Sequence, residues 1–208
     1  MTVQAWLAFA AATTVLLVIP GPTILLVVSY ALGQGWRSAL PTALGVALGD
    51  FTALTVSLLG LGALLAASAE LYTALKWLGA AYLVWLGIKL WRAGGTLDAR
   101  PKTERAATFA MIAHAWIVTA LNPKSITFFV AFVPQFLDPG GVFWRQMIVI
   151  ETTFVALAFA NAFGYALIAA RARDMVASPC ALLWVNRIGG TLLIGAGLAA
   201  IRFGGTKS

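Results

Sequence analysis

The chain has 208 residues, of which 61% are hydrophobic and only 10% are charged, and its mean hydropathy is +0.91. Soluble domains carry roughly 25% charged residues, so this composition excludes an ordinary soluble protein. Residues 1–36 contain no Asp, Glu, Lys or Arg, although a membrane-spanning helix needs only about 20 apolar residues. The sequence therefore predicts an integral membrane protein. Its net charge of +7 comes with no basic soluble domain, which argues against a nucleic-acid partner and favours contacts with lipid.

Six apolar segments follow one another along the chain, at about 5–30, 39–67, 71–92, 107–136, 143–170 and 181–203. Each segment is long enough to cross a bilayer as a helix. The predicted fold class is an all-α integral membrane protein with six transmembrane helices, and residues 1–208 form a single membrane transporter domain. The first segment lacks a preceding positive region, so it is expected to remain as a span.

A proline and a carboxylate recur in the two halves of the chain at the same spacing. Pro22 precedes Asp50 by 28 residues, and Pro123 precedes Glu151 by 28 residues, so a shift of 101 positions superposes the two pairs. A transporter built from two repeats would show broken helices and buried acids in this doubled arrangement. Coincidence is the alternative explanation, because the chain holds eight prolines and seven acidic residues.

The direction of the two repeats follows from their number of helices. Three spans per half is odd, so the second repeat must cross the membrane in the opposite direction to the first. The predicted organisation is repeat 1 at about 1–92, a cytoplasmic basic loop at 93–106, and repeat 2 at about 107–208. Inverted repeats place a binding site between the halves near the midplane, and rocking of one half against the other gives alternating access.

Pro20, Gly21 and Pro22 interrupt the first apolar segment. Each proline lacks an amide hydrogen and clashes with the preceding turn, and the glycine adds backbone freedom. Carbonyl groups thereby lose their helical partners, which a membrane protein tolerates only where the backbone is buried in protein or lines a cavity. The interruption predicts a functional break in the first helix, and a kink that only serves packing is the alternative.

Asn122, Pro123 and Lys124 form a second break, in the fourth segment. A lysine inside a membrane costs about 2.5–3.5 kcal/mol on insertion scales, so Lys124 needs a partner or a wet cavity. Glu151, in the next segment, is the predicted partner. The pair is either a structural salt bridge or a gate that contacts a substrate carboxylate.

Asp50 follows a run of small residues in which Gly45 and Gly49 are four positions apart. Small residues at this spacing let another helix approach closely. An acid in a membrane span is a functional candidate, and removal from water favours its neutral form. Asp50 is predicted to carry a proton or to receive a substrate ammonium group, and a hydrogen bond to a neighbouring helix is the alternative. Asn161 and Asn186 are weaker candidates, since an Asn between helices more often serves packing.

Several chemistries lack the residues they require. Cys180 is the single cysteine, so no intrachain disulfide or dithiol pair can form, and with one histidine it makes a poor zinc or copper site. Neither a Walker A nor a GxSxG motif is present. The sequence predicts no enzyme activity, cofactor or metal site. Alternatives to an organic-solute transporter are a cation exporter, a non-transporting scaffold and a membrane-embedded redox protein, the last disfavoured by the single cysteine.

The distribution of Lys and Arg predicts the orientation of the chain. With the N-terminus outside, the inner loops hold eight of these residues and the outer connections hold four. The positive-inside rule therefore favours periplasmic positions for both termini. Small-residue faces, such as that of Gly190, Gly195 and Gly197, permit a homodimer but serve internal packing equally well.

Seven sequence blocks, in this order along the chain, resemble the lysine exporter family in its threonine/homoserine-efflux (LysE/RhtB-type) branch. The resemblance covers nearly the whole length, and the blocks are specific together rather than singly. They are Pro20-Gly21-Pro22, Gly33 to Arg37, Gly45 to Asp50, Leu75 to Leu83, Leu86 to Lys89, Asn122-Pro123-Lys124 with Phe128-Phe129, and Pro134-Gln135-Phe136.

The resemblance implies a bacterial inner-membrane exporter of amino acids or close derivatives, driven by the proton motive force. It does not identify the substrate, because this branch handles several neutral and basic amino acids. The resulting hypothesis is proton antiport by alternating access, with the amino acid and protons as partners in a lipid bilayer. Asp50 and Glu151 would couple protons or hold the ammonium group, while Gly21, Asn122 and the freed backbone would hold the carboxylate or amide end.

Overall fold

The computed structural model describes residues 1–92, 106–138 and 140–171, with a few isolated positions between 187 and 198. Within these ranges every regular element is helical and no strand is present, which confirms the predicted all-α class for this part of the chain. The helices are α1 Val3–Val18, α2 Pro22–Gln34, α3 Ala39–Ala67, α4 Ala69–Arg92, α5 Thr108–Ala120, α6 Pro123–Phe132 and α7 Phe143–Arg171. Most of the predicted segment 181–203, nearly all of the basic loop and Asn186 lie outside the described residues.

The first five of the six predicted apolar segments correspond closely to these elements, but two of the five are divided. The second and fifth segments are the single helices α3 and α7, whereas the first is split into α1 and α2 and the fourth into α5 and α6. By length and hydropathy, the stretch Pro22–Ala63 and the helix α7 are each able to cross a membrane. The pair α5 and α6, bent by 46°, makes a third if it is one span.

Both divisions have the same local cause. Pro22 and Pro123 each begin a second half-helix, where a missing amide hydrogen removes no helical bond. Gly21 and Asn122 precede them as N-caps with extended backbones. The Asn122 side-chain oxygen accepts a hydrogen bond of 3.0 Å from the backbone N–H of Lys124, which stabilises the start of α6.

Helix α3 packs along both α5 and α7, so it forms the centre of the described fold. Gly45 and Gly49 face α5, and a Cβ on Gly49 would lie 2.6 Å from the Cβ of Thr119 and 2.8 Å from the carbonyl oxygen of Trp116. The close helix approach predicted from this spacing is therefore confirmed. It brings the C-terminal end of α5, and with it the second break, to the level of Asp50.

The outer surface carries large apolar side chains, among them Val3, Trp36, Val56, Phe109 and Ile148, each at least 60% exposed. Exposed apolar surface of this extent marks contact with a membrane or another protein. Aromatic and aliphatic residues of the interior pack around α3 and α7 instead, with Leu54, Leu58, Phe128, Phe129 and Phe154 fully buried. The described fold is thus apolar both inside and outside, as a protein in lipid requires.

Two glycines of α3 offer a test of the contact with α5. Gly49→Ala should lower the free energy of unfolding by about 1–3 kcal/mol, because the new methyl group overlaps α5. Gly60→Ala is the matched control on the same helix, since nothing lies within 4 Å of a Cβ there. The control should be neutral or stabilising by up to about 1 kcal/mol, because alanine favours a helix more than glycine does. Thermal unfolding in detergent measures both, and equal shifts would contradict the close contact.

Candidate functional site

The two helix breaks lie against each other and enclose a small cavity beside α3 and α7. Its volume is about 30 Å³, which is room enough for a water molecule. Sites for small organic ligands measure roughly 300–1,000 Å³, so this cavity has no room for such a ligand. Its walls are formed by Leu16, Leu17, Ile19, Gly21, Thr23, Ile24, Val46, Asp50, Asn122, Lys124, Ser125, Ala158 and Asn161.

The first break leaves a row of carbonyl groups without helical donors. In a continuous helix, the carbonyl of Leu16 would accept from the amide of residue 20 and that of Val18 from the amide of residue 22. Both of those residues are prolines and have no amide hydrogen. The carbonyls of Leu17 and Ile19 lie in the same last turn, where helix ends leave acceptors unpaired. Four consecutive carbonyls at the end of α1 therefore need donors from elsewhere.

Lys124 supplies two of these donors from the first turn of α6. Its ammonium nitrogen donates to the carbonyl oxygen of Leu16 at 3.0 Å and to that of Ile19 at 2.6 Å. The end of α1 carries the negative end of the helix dipole, which adds to the attraction for a cation. The second break thus closes directly onto the first through one lysine side chain.

Helix α7 supplies the other two donors. The side-chain amide of Asn161 donates to the carbonyl of Leu17 at 2.9 Å, and the hydroxyl of Tyr165 donates to that of Val18 at 2.6 Å. Asn161 and Tyr165 are four residues apart and share one face of α7. All four carbonyls of the first break are therefore bonded to side chains of α6 and α7.

The predicted pairing of Lys124 with Glu151 is wrong. The Glu151 carboxylate instead contacts the hydroxyl of Thr55, and Lys124 bonds to the α1 carbonyls. Glu151 lies seven residues before Ala158 of the cavity wall, which is about 10 Å along the axis of α7. Neutral carbonyls freed by the prolines, rather than an acid, meet the hydrogen-bonding requirement of the lysine.

Asp50 lies in the cavity wall with only 2% of its surface exposed. Its Oδ1 atom is buried and has no hydrogen-bond partner among the residues that the structure describes. Lys124 and Ser125, both in the first turn of α6, line the same small cavity as Asp50. A buried acid that has an oxygen without a hydrogen-bond partner, and that lies beside a lysine, is a strong candidate for proton or ligand binding.

A hydroxyl network joins the two breaks on the other side of the cavity. The amide nitrogen of Asn122 donates to the hydroxyl of Thr23 at 3.0 Å, and the hydroxyl of Thr119 donates to the same oxygen at 3.3 Å. All three residues are buried. Asn122 therefore has two functions, since its other side-chain atom caps α6.

The structure brings most of the predicted site residues together. Gly21, Asp50, Asn122, Lys124 and Asn161 line the cavity, and the breaks around it are made by the three prolines, Pro20, Pro22 and Pro123. Glu151 is not in the cavity wall.

Three further residues belong to the site but were missed from the sequence: Thr23, Ser125 and Tyr165. Thr23 directly follows Pro22, and Ser125 lies two residues after Pro123. Both therefore stand in the first turn of a half-helix, next to a break. Tyr165 stands one helical turn after Asn161, so helical spacing was the signal that could have found it.

Three helix ends of both polarities meet at the cavity. The C-terminal turn of α1 presents its carbonyl groups, whereas α2 and α6 present their N-terminal turns. Carbonyl ends favour cations and amide ends favour anions. The sequence alone could not decide which half-helix ends line the site, and the structure places both kinds there.

The donor set of the cavity does not resemble a metal site. In the described ranges no three His, Cys, Asp or Glu side chains lie close enough to hold a metal ion. Calcium and magnesium sites use several oxygen ligands, usually with more than one carboxylate. The cavity offers one carboxylate, from Asp50, next to the ammonium of Lys124.

Comparison with known proteins gives a consistent set of relatives. The profile of the family described as LysE type translocator matches residues 14–204. An uncharacterized membrane protein of Vibrio cholerae is 35% identical over 198 residues, which cover 95% of this chain and 97% of the relative. A homoserine/homoserine lactone efflux protein of Salmonella typhimurium is 32% identical over 204 residues, covering 97% and 99%. A leucine efflux protein of Salmonella choleraesuis is 34% identical over 124 residues, covering 59% and 58%.

No solved structure matches the chain. The profile match nevertheless covers nearly the whole sequence, and the Vibrio and Salmonella typhimurium relatives align over almost their full lengths. Members of this family with assigned functions are efflux proteins, so the chain is a membrane transporter and not an enzyme. The chain belongs to the LysE type translocator family, as the resemblance of its motifs predicts.

Proposed function

We propose that the protein exports amino acids or close derivatives across the bacterial inner membrane, in exchange for protons and by alternating access. The observation that carries the proposal is the buried Asp50, which has an open carboxylate oxygen in a water-sized cavity where two broken helices meet. The names of the relatives support the class of substrate. Homoserine, homoserine lactone and leucine, which appear in those names, all have an α-ammonium group and differ elsewhere.

The polarity of the cavity supports a substrate with both charges. An α-ammonium group suits the carbonyl groups at the end of α1, and a carboxylate suits the amide ends of α2 and α6. Gly21 and Asn122, the N-caps of those two helices, would lie beside the carboxylate or amide end. The wall residues Ile24, Val46 and Ala158 are apolar and would favour an uncharged side chain on the substrate.

The order of elements supports two inverted repeats. Each half begins with two short helices separated at a proline, and a helix of 29 residues follows, α3 in one half and α7 in the other. We propose six spans, with both termini outside the cytoplasm as the Lys and Arg distribution favours. Rocking of the halves would separate the α1 carbonyls from their donors on α6 and α7 and so expand the cavity. The small-residue faces would also permit a homodimer.

We assign proton coupling to Asp50 of α3 and Glu151 of α7. Asp50 would release its proton when the ammonium group of the substrate, or that of Lys124 after displacement from the α1 carbonyls, comes into contact with its carboxyl group, because direct contact with a cation favours the charged form of a buried carboxylate. Glu151 lies on α7, outside the cavity, and contacts Thr55 of α3. The same two helices form part of the cavity wall, and we assign to Glu151 the passage of protons between Asp50 and one membrane surface.

The first prediction of this proposal concerns Asp50→Asn. In liposomes that contain the purified protein, efflux of labelled L-homoserine or L-leucine should fall at least tenfold, and the remaining efflux should not respond to an imposed pH gradient. Asp138→Asn is the matched control, because this exposed acid lies in the connection between α6 and α7. It makes the same isosteric change and keeps the oxygen that accepts from the Gly140 amide. Normal gradient-driven efflux by folded Asp50→Asn would contradict the proposal.

Glu151→Gln should separate proton coupling from substrate binding. Because Glu151 lies about two turns from the cavity, we expect the apparent KM for the amino acid to stay within about twofold of the wild-type value. The response of the efflux rate to the pH gradient should be lost, since the amide cannot carry a proton. The same liposome assay measures both quantities, and an intact gradient response would remove Glu151 from the proton pathway.

A further inference from the structure

We infer that the ammonium group of Lys124 occupies the position that the substrate ammonium takes during transport. The carbonyls of Leu16 and Ile19 would then form a binding site for primary ammonium groups, with Lys124 as a tethered occupant in the empty protein. The inference that this occupant competes with substrate rests on the proposed function. The existence of the ammonium site does not, because it follows from the contacts of Lys124 alone.

The contacts of Lys124 are those of a bound ligand. Its ammonium donates to two neutral carbonyls at 3.0 and 2.6 Å, and these are the acceptors that the broken helix cannot satisfy by itself. An ammonium group has three N–H donors and no acceptor, so a free primary amine can make the same two bonds. The site therefore recognises a chemical group that an α-amino acid also has.

Exchange of one ammonium group for another would keep the carbonyls of α1 hydrogen-bonded while the cavity opens. Unpaired carbonyls in a membrane interior are costly, so the end of α1 resists loss of its donors. If an incoming ammonium replaces that of Lys124, the carbonyls remain bonded throughout. The lysine is then released only when a ligand with equivalent donors is present, which links the opening of the site to the right class of substrate.

The cavity also contains a place for the displaced lysine. Asp50 and Lys124 line the same small cavity, and the buried Oδ1 atom of Asp50 has no hydrogen-bond partner among the described residues. Gly21 lines the path of the lysine side chain, since a Cβ there would lie 3.1 Å from the Cδ of Lys124 and 3.6 Å from its Nζ. The stem of the lysine thus occupies space next to the first break that a substrate would need.

A purified variant tests the ammonium site without transport. Lys124→Ala removes three carbons and the nitrogen, which together correspond to n-propylammonium. At a concentration ten times its dissociation constant, n-propylammonium should raise the Tm of this variant by about 3–6 °C. Wild-type protein and Lys124→Met, in which the space is still filled, should show no shift. Tetramethylammonium is the control ligand, because it has a charge of the same sign but no N–H donor.

The competition with substrate is tested by L-homoserine binding, measured by calorimetry. Lys124→Ala should bind L-homoserine at least tenfold more tightly than the wild type, because the competing ammonium is gone. N-acetyl-L-homoserine, which lacks the ammonium group, should show no such gain. If Lys124 instead bound the substrate carboxylate, the variant would bind L-homoserine more weakly, and the inference would be overturned.

The remaining outcomes of the Lys124→Ala experiments also test the inference. A folded Lys124→Ala protein that n-propylammonium does not stabilise would refute the ammonium site. If the variant is recovered folded only when n-propylammonium is present during purification, the site is supported. If it never folds, L-homoserine binding to Lys124→Ser, in which the small side chain also vacates the space, decides, with weaker binding than the wild type refuting the competition and tighter binding supporting it. Stabilisation by n-propylammonium together with absent amino-acid efflux by the wild type would uphold the site and refute the proposed function.

Discussion

The absence of two amide hydrogens, at Pro20 and Pro22, is the constraint on which the rest of the site depends. It frees the carbonyls of Leu16 and Val18, and the end of α1 at this break leaves those of Leu17 and Ile19 without helical donors as well, in a surrounding of low polarity. Donors must then come from other helices, and Lys124, Asn161 and Tyr165 provide them. Every polar side chain bonded to these carbonyls belongs to the second half of the chain, so the break in the first half determines where the halves meet.

A second constraint places the acid at this meeting point. Gly45 and Gly49 allow α5 to contact the backbone of α3 directly, and larger residues would hold the two helices apart. Asp50 directly follows Gly49, and Asn122 follows the end of α5 by two residues. The small residues thus determine how closely the second break approaches the acid, although neither glycine has a polar group of its own.

Much of the site could be predicted from the sequence because its causes are local. The positions of Pro22 and Pro123 predict the two breaks, and the spacing of Gly45 and Gly49 predicts a close helix contact; both are found in the structure. The partner of Lys124 could not be predicted in this way. Charge complementarity favoured Glu151 as the partner. In the structure, Lys124 instead bonds to the unpaired carbonyl oxygens within its reach, and the position of α6 against α1 determines which ones these are. Tyr165 lies one helical turn after Asn161, so spacing could have placed it on the same face of α7, but its bond to the carbonyl of Val18 depends on how α7 is positioned against α1.

The contacts of Lys124 also explain why a lysine and an acid lie in one small cavity without neutralising each other. A salt bridge in a low-dielectric interior is hard to separate, because removing one partner leaves a buried charge uncompensated. Here the ammonium of Lys124 is held by neutral carbonyls, and the Oδ1 atom of Asp50 has no hydrogen-bond partner among the described residues. The lysine can therefore move without first breaking a hydrogen bond to that oxygen. In the proposed exchange, a substrate with an ammonium and a carboxylate would displace one contact at a time, and each displaced group would find a new partner within the cavity. The proline break contributes the carbonyl groups that accept from Lys124, and on this proposal the same carbonyls would accept from the substrate.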